Sequence, residues 1–191
     1  MLGIVPRRCQ CLDRISCRSK DGALTMHGAH NGALGQDGER KRGRWSRCAA
    51  FLCLVPAAGL LIGVLNRPGA WYAALNKPSF NPPDAVFAPV WTILFLLIAV
   101  AGFRTFEAEP RGKSMRLWGL QMILNFAWSP IFFSLHRMDV ALGVIVALLA
   151  VILAFVWRRW QTDRLAAMLF IPYAGWVGFA TLLNMSLLRL N

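Results

Sequence analysis

Five long apolar runs follow one another along the chain after a polar opening stretch: Cys48 to Leu65, Ala85 to Phe103, Leu117 to Leu135, Val140 to Trp157 and Leu165 to Leu188. Each has 18 to 24 residues and none holds a charged side chain. At about 1.5 Å of rise per residue, such a helix reaches across a hydrocarbon core of about 30 Å. Buried helices of soluble proteins are seldom this long and this free of charge. The pattern therefore predicts an all-α integral membrane protein, a five-transmembrane-helix bundle over residues 47–191. Residues 1–46 show no apolar period that could bury a face and are expected to be a disordered basic extension, with Met26 as an alternative start.

The gaps carry their own signals. Arg67 to Asp84 contains Pro68, Pro78, Pro82 and Pro83, which predicts an ordered, extended loop. Arg104 to Arg116 holds Pro110 and Gly112, and His136 to Asp139 reads as a tight turn between antiparallel helices.

Within the third run, Trp118, Gln121, Asn125 and Trp128 recur at helical spacing and share a face. Amides are costly in lipid, so that face is expected to point inward. Gln121 and Asn125 serve there either as hydrogen-bonding glue between helices or as polar groups of a ligand cavity walled by tryptophan. The fifth run repeats the theme with Tyr173, Trp176, Ala180 and Asn184, and the second adds Trp91 and Phe95. Gly59 and Gly63 in the first run form a small-residue pair suited to dimerisation or to packing inside the bundle, and Pro56 before them predicts a kink. Ala174 and Gly178 form a similar pair. Trp157 and Trp160, beside Arg158 and Arg159, read as interfacial anchors.

Composition agrees: 57% of the 191 residues are hydrophobic and 16% charged, more apolar surface than a soluble fold of this length could hide. A net charge of +12 would suggest nucleic acid, but its placement points to topology instead. The opening stretch and the second and fourth gaps hold seventeen Lys and Arg, against four (Arg67, Lys77, Arg137, Arg189) on the other side. This predicts the N-terminus inside, the C-terminus outside, and no nucleic-acid partner. Cys9, Cys11 and Cys17 with His27 and His30 match no zinc spacing, so no metal is expected. The runs hold no ionisable relay and no set of nucleophile, base and orienter, which argues against pumping and hydrolysis.

Three segments carry a resemblance. Trp71-Tyr72-Ala73-Ala74-Leu75-Asn76-Lys77-Pro78-Ser79-Phe80-Asn81-Pro82-Pro83-Asp84, followed by Phe87-Ala88-Pro89-Val90-Trp91-Thr92, resembles the first loop and second helix of the TspO and translocator protein family, also called tryptophan-rich sensory proteins or peripheral-type benzodiazepine receptors. Leu124-Asn125-Phe126-Ala127-Trp128-Ser129-Pro130 resembles its third-helix motif, and Pro172-Tyr173-Ala174-Gly175-Trp176-Val177-Gly178-Phe179-Ala180 its fifth. The resemblance implies a five-helix bundle, commonly a homodimer in a lipid bilayer. It further implies a binding protein rather than an enzyme, with no required cofactor, taking a porphyrin (protoporphyrin IX or heme-like) or another flat hydrophobic ligand as its partner. Family pocket positions fall on Trp91, Asn125, Trp128, Trp176 and Ala180, and the stripes add Phe95, Gln121, Tyr173 and Asn184. Lys77, Pro78, Pro82, Pro83 and Asp84 would form a lid. The alternative is photo-oxidative porphyrin degradation, with Trp91 and Trp176 as the reactive side chains. The family often has a tryptophan where Phe80 stands, and the tyrosine of the animal sterol motif is absent near Arg189. A bacterial cell membrane is the expected location.

Overall fold

The computed structural model describes residues 27–191, which form helices and no strand. Helix α1 spans His27–Leu65, a short α2 spans Ala70–Ala74, and α3 spans Asp84–Ala108. Then come α4 (Lys113–Ser129) with a π-helical turn over Pro130–Ser134, α5 (Met138–Trp160) and α6 (Arg164–Leu190). Residues 42–191 make one compact unit, and the described residues up to Lys41 fall in a separate one.

Of the extension expected to be disordered over 1–46, residues 1–26 lie outside the described residues, Met26 and the three early cysteines included. Residues 27–46 are helical instead. Once the apolar run nucleates a helix, each added residue gains a backbone bond without repeating the nucleation cost, so helix can propagate beyond the apolar pattern.

Among the described residues, four helical segments are long and apolar enough to cross a membrane: Lys41–Leu65, Asp84–Ala108, Met138–Trp160 and Arg164–Leu190. The remaining apolar run is divided. Helix α4, which carries it, stops at Ser129 after 17 residues, and the chain continues into the π turn. Pro130 is the physical cause: it has no N–H to donate and its ring crowds the preceding turn, so the register widens, with Leu135 N–H reaching the Pro130 carbonyl at 2.9 Å.

Helix α5 packs along α6 and α4, and α3 packs against both α6 and α4. Their shared core includes Ile98, Ile152, Phe155, Phe170 and Tyr173, each without exposed surface. A second cluster at the loop end joins Tyr72, Phe132, Ala141, Leu183 and Leu187. Helix α1 lies against α3 at a glycine. A Cβ on Gly59 would overlap the Phe95 ring, whereas one on Gly63 would meet nothing within 4 Å. Thus Gly59 is used for packing inside the bundle and Gly63 is open. Two turns before Gly59 on α1, Phe51 sets its edge on Phe103 and Trp118.

The end away from the loop is tied by ion pairs. Arg104 of α3 grips Asp163 with two 3.0 Å bonds. The guanidinium of Arg159, almost wholly buried, bonds Glu109 at 3.1 Å and Asp163 at 3.2 Å. Burial alone would push the Asp163 carboxyl up, but hydrogen bonds from Arg104, Ala166 and Arg159 outweigh it and hold the group below its ordinary value. Asp163 also caps α6 by accepting from Ala166 N–H at 3.2 Å. Arg47 reaches Glu107 at 2.8 Å, fastening α1 to the same end.

Candidate ligand site among the aromatic stripes

The helical period that aligned Trp91 with Phe95 extends to Phe87, and the three present one face of α3. Trp91 lies over Phe95 (centroids 5.3 Å) and meets Tyr173 of α6 edge to face (6.3 Å). Phe87 meets Trp176 at 5.8 Å, and Trp176 leans on Phe179. From α4, Trp128 stacks on Phe132 one turn later at 5.1 Å. Trp91, Trp128, Trp176 and Ala180 are only partly buried, whereas Phe95, Gln121, Asn125, Tyr173 and Asn184 are buried. The tryptophans thus border the core while the polar members sit within it.

Three of those polar groups form one chain. Asn125 Nδ2 donates to the Tyr173 hydroxyl at 2.8 Å, and that hydroxyl donates to Gln121 Oε1 at 3.0 Å. Gln121 Nε2 has no partner although it is buried, leaving one donor of the chain open. The other two polar members of the stripes act elsewhere. Trp118 donates from Nε1 to the Ile98 carbonyl at 3.0 Å and fills the space left by Gly102, so it serves the contact of α4 with α3. Asn184, with its amide turned to satisfy both ends, donates to the Met138 carbonyl at 3.2 Å and accepts from Leu142 N–H at 3.1 Å. It braces the first turn of α5.

The loop covers the cluster around Phe132. Tyr72 and Trp71 set ring edges against Phe132, and Trp71 stacks on His136 at 4.2 Å. Burial, reinforced by the Asp84 carboxylate, raises the Tyr72 phenol above its ordinary value. Lys77 lies 4.8 Å over the Tyr72 ring and donates to the Ala73 carbonyl at 3.3 Å. Pro78, Pro82 and Pro83 accept turn bonds from Asn81 N–H, Asn81 Nδ2 and Val86 N–H, at 3.0, 3.0 and 2.9 Å. Asp84 opens α3, where a negative charge complements the helix dipole. Phe80 touches Phe179 at 6.2 Å, and Asn76 is clasped by the Asn191 side chain, which accepts from its N–H at 2.9 Å and donates to its carbonyl at 3.1 Å.

Phe87, Phe132 and Phe179 join the site beyond the residues singled out from the sequence. Phe87 and Phe132 carried a usable signal, since each continues a stripe by one helical turn. Phe179, three residues after Trp176, carried the same one.

The sequence pattern that defines the TspO/MBR family matches residues 49–190. The tryptophan-rich sensory protein of Cereibacter sphaeroides is 38% identical over 145 residues, covering 75% of this chain and 92% of its own. Protein CrtK of Rhodobacter capsulatus is 37% identical over 133 residues, 68% of this chain and 83% of its own. The human translocator protein is 33% identical over 146 residues, 72% and 86%. Matched over nearly all of its apolar length, the chain belongs to the TspO/MBR family.

Proposed function

We propose that this integral membrane protein binds a porphyrin or a similar flat, hydrophobic tetrapyrrole among α3, α4 and α6, beneath the loop over residues 67–83. The observation that carries this reading is the set of Trp91, Trp128 and Trp176, donated by three helices and left partly exposed at the edge of an otherwise closed core. Aromatic faces supply area and geometry for a planar ring system, and a few amides fix its orientation. Gln121 Nε2, buried in the core without a partner, is the donor that a ligand carboxylate or carbonyl reaching the core would satisfy. Phe80 over Phe179 and the Asn76–Asn191 clasp support the loop as a lid.

The same reading takes Lys113–Ser134 as a fifth crossing, its α and π segments running on without a break. It places the N-terminal side of α1 in the cytoplasm, by charge asymmetry, in a bacterial cell membrane. It also takes two copies to pair. Only 11% of the α1 span is buried, against 28–33% of the other spans, which supports α1 as part of the surface between copies.

Protoporphyrin IX titrated into the purified protein should quench tryptophan fluorescence saturably. Trp91→Ala, Trp128→Ala and Trp176→Ala combined should weaken binding by at least tenfold, and the three Phe replacements should weaken it less. Unchanged affinity in the folded triple alanine variant overturns the proposal.

A further inference from the structure

We infer that the end of the bundle away from the loop is a docking surface for anionic lipid headgroups. The acids that residues 42–191 place there are already committed. Glu107 holds Arg44 and Arg47, Glu109 holds Arg159, and Asp163 holds Arg104 and Arg159. Arg42, Arg111, Lys113, Arg116, Arg158 and Arg164 remain, all exposed and none in an ion pair among the described residues. They come from α1, the α3–α4 connection, the first turn of α4, the end of α5 and the start of α6. Those pieces are held at one level by the Arg47–Glu107, Arg104–Asp163 and Arg159–Glu109 pairs.

The loop end has no such excess. Its cations are Arg67, Lys77, Arg137 and Arg189, its acids are Asp84 and Asp139, and Arg137 is paired with Asp139 at 2.9 Å.

Depth is the second, independent observation. Trp45 and Trp157, 74% and 76% exposed, lie beside Arg44 and Arg158, and Trp160 is 40% exposed. Exposed indoles of a membrane protein settle at the headgroup level, so the unpaired cations of this end sit where lipid phosphates are. Helix α4 also opens with Lys113 and Arg116 and no acid in its first turn. Its dipole disfavours that arrangement, and an anionic surface alongside offsets it.

The test uses the full chain in phosphatidylcholine vesicles containing trace spin-labelled phosphatidylglycerol or spin-labelled phosphatidylcholine. The motionally restricted fraction should favour phosphatidylglycerol by roughly fivefold, the equivalent of one added surface cation. High salt should erase the preference. Replacing Arg111, Lys113, Arg116, Arg158 and Arg164 by Gln should erase it too, while Arg67→Gln with Arg189→Gln should leave it. Equal association of the two lipids, as an acidic protein partner would give, overturns the inference. So does a salt-independent preference, or an equal loss in the loop-end variant. Inorganic phosphate that competes at constant ionic strength would show a discrete phosphate site instead and also overturns it. If the five-residue variant does not reconstitute, the salt titration of the unaltered chain decides.

Discussion

Asn125 and Tyr173 join α4 to α6 through a 2.8 Å hydrogen bond in which the amide donates and the phenol accepts. The phenol's own proton is committed to Gln121, so one hydroxyl holds two amides in register. The glue reading of these amides therefore describes one buried chain of groups, which joins α4 to α6.

Tyr173→Phe is expected to strand Asn125 Nδ2 and Gln121 Oε1 in the interior and to lower stability by about 1 kcal/mol. Equilibrium unfolding in mixed detergent micelles measures this. Adding Asn125→Leu should recover part of the loss, because removing both partners of a buried bond costs less than removing one.

Gly59 and Gly63 should respond differently to the same methyl group. Gly59→Ala meets the Phe95 ring and should destabilise by about 1–3 kcal/mol, the usual cost of overpacking. Gly63→Ala has open space and should change the melting temperature little. Equal effects would refute the assignment of Gly59 to the α1–α3 contact.

Much of the fold was readable as hydrophobic runs, because lipid permits little besides helices with satisfied backbones. The π turn was not, because its cause, Pro130, looks in the sequence like any other proline in an apolar run. The aromatic stripes were readable for the same reason as the helices: Trp91 and Phe95, or Asn125 and Trp128, share a face by spacing alone. What spacing does not encode is which neighbour consumes a polar group. Trp118 and Asn184 occupy stripe positions yet spend their hydrogen bonds on the Ile98 carbonyl and on the first turn of α5. Arg104 and Arg159, counted in the sequence as markers of topology, proved to be partners of Asp163 and Glu109, a relation across separate helices.

Asp163→Asn is expected to cost about 3 kcal/mol, because it leaves the buried Arg159 short of a counter-charge. The pH dependence carries its own sign. A carboxyl held below its ordinary value contributes stability that is present above the unfolded-state value and is lost as pH falls through the lower folded-state value. Acid unfolding of the unaltered protein should therefore show a loss below the usual carboxylate range, and Asp163→Asn should show less of it.

Asn191→Ala should release Asn76 with little change in global stability. Amide hydrogen exchange across residues 70–83 is expected to accelerate, while that of α5 stays slow. Unchanged protection of the loop would show that its ring contacts alone hold it.

The ion-paired end of the bundle has a mechanical consequence. Charge-assisted bonds among Arg104, Arg159, Glu109 and Asp163 clamp the ends of α3, α5 and α6, whereas neutral amides and ring edges close the opposite end. Such a bundle behaves like tongs: riveted at one end, it spreads most easily at the other. Separation of the helices is therefore expected first at the loop end, where it needs no rearrangement at the rivet.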